Sequence, residues 1–185
     1  MLPAAFVPFF AASMGAAGAL IGLLFIAISI APERTVGKAA PRERAALAGN
    51  AFTALTNVFF ISLVALIPTA AVGPVVALMG ALSCVATVRL AINLLHRRTD
   101  GRRLKLTQLA RRMSLVAASL VIYGLEIWQG ILISTTGVSN VDPIIFVAFL
   151  IVGAYGLALT RMWSLLGARK DSVFAWLNVL NDIEG

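Results

Sequence analysis

The chain has 185 residues, 60% of them hydrophobic and 12% charged, with a mean hydropathy of +0.95 and a formal net charge of +7. So few charges exclude the ordinary soluble globular class, in which about a quarter of residues are charged. A single cysteine, Cys84, excludes an internal disulfide and a multi-cysteine metal site, and the basic excess gives no case for nucleic acid because it flanks apolar runs instead of forming a recognition module.

Five apolar runs are long enough to cross a hydrocarbon core of about 30 Å, which takes roughly 20 residues. The first covers about 6–30. It lacks a basic leader and exceeds the usual apolar stretch of a signal peptide, so a retained span is expected. Its Gly15, Gly18 and Gly22, with Ala11, Ala12 and Ala19 nearby, make a small-residue face on which another helix can approach closely. Arg34, Lys38, Arg42 and Arg44 follow, and then a second run at about 46–67 with Asn50, Thr53 and Asn57 on one face and Thr56 beside it.

Pro68 and the Gly73-Pro74 pair mark a tight, uncharged connection to the third run, at about 75–95. There Arg89, Asn93 and His96 form a stripe spaced i, i+4 and i+7, leading to Arg97 and Arg98. The basic stretch continues to Arg112 through a Thr99-Asp100-Gly101 turn. Leu104, Leu106, Leu109 and Met113 have the spacing of a helix that extends the fourth run, at about 113–133. A polar connection from Ser134 to Pro143 precedes the fifth run, at about 144–166. The last residues, 168–185, read as an amphipathic helix capped by Asp171 or Ser172, with Val173, Phe174, Leu177, Leu180 and Ile183 on one face.

All Lys and Arg except Arg89 and Arg161 fall in three stretches, and none falls in the connections that alternate with them. Five spans with the N-terminus outside put all three stretches in the cytoplasm, as the positive-inside rule requires. Four spans would put basic residues on both sides. The expected fold is therefore an all-α integral membrane protein with five transmembrane helices, N-out and C-in, and a short C-terminal amphipathic cytoplasmic helix. The lack of basic residues in the outer connections suits a bacterial inner membrane.

An ionisable side chain at mid-membrane costs about 2.5–3.5 kcal/mol on insertion scales, so it needs a partner, water or a route to the interface. Arg161, near the cytoplasmic end of its span, is expected to snorkel to headgroups. Arg89 either snorkels along its stripe or belongs to a functional cluster. His96, without a second His, makes no ligand set. Glu126 is the strongest signal. It lies about 20 Å along the helix from Met113, too deep for its short stem to reach either interface. Asn57 falls at a similar depth, and Tyr123 is one turn away.

Glu126, Asn57, Asn50, Thr53, Tyr123 and Arg89 are thus the candidate polar cluster, acting either as interhelical glue or as a permeation or protonation site. Nothing in the chain has the pattern of a nucleotide loop, a nucleophile with its base, or paired carboxylates. Neither an enzyme nor a cofactor or metal is expected. The expected function is a small homo-oligomeric channel or pore for ions or small solutes. The competing expectation is a non-catalytic accessory protein that docks another membrane subunit. The bilayer is the remaining partner, and no nucleic acid is expected.

Overall fold

The computed structural model describes residues 3–30, 42–68, 71–96, 106–137 and 140–165, and the side chains of all these except 42–43, 93–96 and 106–112. The helix expected over 168–185 lies outside the described residues, as do most of the basic stretches. The described residues are helical, with no strand among them. After a short 3-10 turn at Ala4–Phe6, helix α1 runs Val7–Ile30, α2 Arg42–Ala65, α3 Val72–His96, α4 Leu106–Thr136 and α5 Asp142–Leu165. All five are long and apolar enough to cross a membrane.

Two boundaries differ from the sequence expectation, each for a local reason. Gly73 and Pro74 lie in the first turn of α3 instead of the connection. A first-turn proline loses nothing, because its missing N–H would have no intrahelical acceptor. Ser134, Thr135 and Thr136 continue α4. Their hydroxyls bond back to the helix, Ser134 to the Gly130 carbonyl at 2.7 Å and Thr136 to the Leu132 carbonyl at 2.8 Å, so they no longer compete for turn geometry. Gly137 then stops the helix with φ 77°, donating its N–H to the Ile133 carbonyl at 2.9 Å. At the other end, the extension of the fourth run toward Leu106 appears as expected.

Helices α2, α3, α4 and α5 pack in sequence and α5 returns to α2, closing a four-helix ring, while α1 lies against α2. Ser13 and Tyr155 tie α1 to α5: the Tyr155 hydroxyl donates to the Ser13 carbonyl, and the two hydroxyls lie 3.3 Å apart. One end of the ring is filled by Ile61, Ala65, Val72, Val76, Ile133, Ile144, Val147 and Ile151. The outward surface is apolar as well, with Phe25, Leu78, Trp128, Phe149 and Trp163 exposed, whereas Asn57, Ser83, Ser119, Glu126 and Arg161 are buried. Polar groups inside and apolar groups outside invert the soluble pattern and suit a hydrocarbon solvent.

Helices α3 and α4 approach backbone against backbone at their glycines. A Cβ on Gly130 would lie 2.4 Å from the Ala77 nitrogen and 2.7 Å from the Gly73 carbonyl oxygen. One on Gly80 would lie 2.9 Å from the Tyr123 carbonyl. Gly73, Ala77 and Gly80, spaced i, i+4 and i+7, therefore make the small-residue seam that brings backbone against backbone. The α1 glycines behave differently. Gly18 would meet only the Phe59 ring, at 3.7 Å, and Gly15 and Gly22 have nothing within 4 Å.

Candidate functional site

Helix α4 turns one polar face into the ring. Ser119, Tyr123, Glu126 and Gln129 recur every three or four residues and are all buried, the spacing that keeps side chains on one side of a helix. Helix α2 contributes Asn57 and α3 contributes Ser83 at the level of Glu126. The Asn57 amide donates to Glu126 Oε2 at 2.8 Å, and it also lies 2.9 Å from the Ser83 hydroxyl and 3.3 Å from the Met79 carbonyl. Asn57 and Glu126 are both 0% exposed. Three helices thus meet at one carboxyl group.

The residues expected around Glu126 divide. Asn57 bonds it directly, and Tyr123 is buried one turn away on the same face. Asn50 is buried two turns from Asn57, nearer the start of α2. Thr53 is half-buried and spends its hydroxyl on the Gly49 carbonyl at 2.9 Å. Arg89 is exposed on α3, outside the ring interior that holds Glu126. Its expected companions Asn93 and His96 have side chains outside the described residues.

Arg161 corrects the snorkelling expectation. It is 1% exposed, turned into the ring and not toward an interface. Its Nη2 donates to the Ser119 hydroxyl and to the Leu115 carbonyl, the latter at 3.3 Å, while Nη1 has no partner. Ser119 in turn donates to the Leu115 carbonyl at 2.7 Å. The Tyr123 hydroxyl lies beside the guanidinium. Depth along the axis suggested a route to the headgroups, but the direction of the side chain is set by which face of α5 packs on α4. Ser119→Ala is therefore expected to destabilise the bundle by about 1–3 kcal/mol, because a buried cation loses a hydrogen-bond acceptor. A denaturation series in mixed micelles measures it. A loss no larger than for Ser164→Ala, on the α5 end, would show that Arg161 is satisfied without Ser119.

Arg161, Ser119, Tyr123, Glu126 and Gln129 make a polar column that ends at the apolar plug containing Ile133. Sequence reading found its centre and missed Ser83, Ser119, Gln129 and the burial of Arg161. The recurrence of Ser119, Tyr123, Glu126 and Gln129 at helical spacing was the available signal.

Unpartnered acceptor oxygens lie in the column and beside it. Among the described residues, seven buried side-chain polar atoms lack a hydrogen-bond partner, and Glu126 Oε1, Asn57 Oδ1 and Gln129 Oε1 are three of them. These three are carbonyl or carboxylate oxygens, whose ordinary complement is a proton donor or a cation. Comparison with protein-family models, with curated proteins and with solved structures gives no match to this chain.

Proposed function

We propose that the protein is an integral membrane protein that carries protons across the bilayer, with Glu126 as the site the proton occupies midway. The observation that supports this reading most is the Glu126 carboxyl itself, fully buried, held by an amide on one oxygen and unpartnered on the other. A proton needs only an acceptor with a free lone pair and hydroxyl or amide groups within reach, which Tyr123, Ser119 and Gln129 supply along α4. The apolar plug at the Ile133 end acts as the gate, since a proton cannot pass a dry hydrocarbon layer without a transient polar path.

The proposed orientation is N-out and C-in, in a membrane of the bacterial inner type, because the basic stretches then lie on one side. The Arg161 end of the column then faces the cytoplasm and the plug faces outside. Single cysteines in a Cys84→Ala background test the orientation. Ala4→Cys and Ser139→Cys are expected to react with an impermeant thiol reagent on intact cells, and Thr99→Cys only after permeabilisation. The opposite pattern would reverse the model.

Self-association remains part of the proposal, with a narrower role. Glu126 lies inside the ring, whereas Gly15 and Gly22 of α1 are open, so an oligomer formed through α1 builds no pore around Glu126. Each subunit carries its own path. The same open face supports a second reading, a non-catalytic accessory protein whose α1 docks another membrane subunit. Proton flux into liposomes containing the purified protein separates the two. Flux that depends on Glu126 supports transport, and tight liposomes support docking.

A further inference from the structure

A groove of about 380 Å³ opens on the outer surface between α2 and α3. Phe52, Phe60 and Leu82, all exposed, form its rim, and Thr56, Asn57 and Ser83 its polar floor. The volume lies at the low end of the roughly 300–1,000 Å³ of small-molecule sites, and the lining is mostly apolar with a few polar groups. In a membrane-spanning bundle the mouth faces acyl chains, so an occupant would arrive by lateral diffusion in the bilayer.

The floor specifies the head group. Asn57 Oδ1 and Thr56 Oγ1 are buried and have no hydrogen-bond partner. Thr53, one turn earlier, bonds back to the Gly49 carbonyl, and Thr56 does not bond back. Two unpartnered oxygens beneath an apolar rim call for a hydrogen-bond donor on an apolar body. A plain acyl chain would fill the walls and leave both oxygens unsatisfied, at the cost that makes such groups rare in native interiors. A charged head group would need a counter-charge, and the lining supplies none.

We propose that the α2/α3 groove binds a neutral, membrane-partitioned alcohol, with its hydroxyl donating to Asn57 Oδ1 or Thr56 Oγ1 and its hydrocarbon tail lying between Phe52 and Phe60. The inference is independent of proton transport, since it rests on the groove and its floor and holds whether or not Glu126 passes a proton.

Photolabelling in phosphatidylcholine nanodiscs tests it, with dodecanol carrying a diazirine in the chain as the probe. Label is expected to saturate and to concentrate in residues 52–60 and 79–86. Unlabelled dodecanol should compete at about tenfold lower concentration than dodecyl methyl ether, which keeps the oxygen and tail but cannot donate, a ratio of the size of one hydrogen bond. Thr56→Val should shrink that preference, and Ala86→Phe should remove the saturable label by filling the groove. Equal competition by alcohol and ether in the wild-type protein would overturn the proposal and leave the groove to acyl chains. Unsaturable label spread over the outward faces of α1 and α5 would overturn it too. Both decisive readouts use the unmodified chain, so neither depends on a variant folding.

Discussion

Glu126→Gln is expected to lower proton flux into liposomes by about a hundredfold, the lower end of what a positioned proton-transfer group contributes, while the bundle stays folded. Gln keeps the shape of Glu, keeps an acceptor for the Asn57 amide now held at 2.8 Å, and adds no charge. What it loses is the ability to bind and release a proton. Its effect on stability should stay below about 1 kcal/mol, the usual worth of one interhelical hydrogen bond in a membrane. Glu126→Ala should lose flux equally and also destabilise by about 2 kcal/mol or more, through the cavity left and the unpaired Asn57. The separation of the two phenotypes is the result to look for. Wild-type flux in a folded Glu126→Gln protein would remove the transport proposal. The carboxyl would then be hydrogen-bond glue, and the accessory reading would lead.

Gly130→Ala is the second change with a large expected effect, on the fold instead of the chemistry. The added Cβ would meet the Ala77 nitrogen at 2.4 Å and the Gly73 carbonyl oxygen at 2.7 Å. Both are backbone atoms, so no rotamer change relieves the contact and α3 must move away from α4. Overpacking of this kind costs about 1–3 kcal/mol, and a backbone clash belongs at the upper end. The same movement would pull α4 from α3 within one turn of Glu126, so proton flux should fall with stability. Gly124→Ala is the matched control on the same helix, with nothing within 4 Å of its Cβ. It should be neutral or stabilising, since Ala is the better helix former. Unfolding in a detergent titration, read against Gly124→Ala, decides the point. Indistinguishable midpoints would mean that the α3/α4 seam is looser than its glycines indicate.

The two glycine sets also separate folding from association. Gly15→Leu adds bulk where the subunit has no neighbour within 4 Å. It should leave the unfolding midpoint unchanged and reduce the oligomer population seen by native mass measurement, if α1 is where subunits or partners meet. That contrast with Gly130 was not readable from composition, because both helices carry small residues at helical spacing.

The five helices, their order and the position of Glu126 along its helix were determined by local quantities in the chain. Apolar runs of the right length have to be helical where no water can satisfy the backbone, and rise per residue converts sequence separation into distance along the helix axis. Asn57 was likewise recoverable as a neighbour, because two polar residues at equal depth in different helices gain by meeting. Rotation about each helix axis was left open by all of this. Whether Arg161 snorkels or turns inward, whether Arg89 joins Glu126 or points out, and which glycines form the tight seam all depend on it. A helix with apolar residues on every side has little intrinsic preference for one facing direction. The choice was made by packing, where the α3 backbone closes on Gly130, and by hydrogen bonds that exist only once three helices are assembled, Asn57 to Glu126 and Arg161 to Ser119. Those contacts join residues tens of positions apart, and only the tertiary structure could place them.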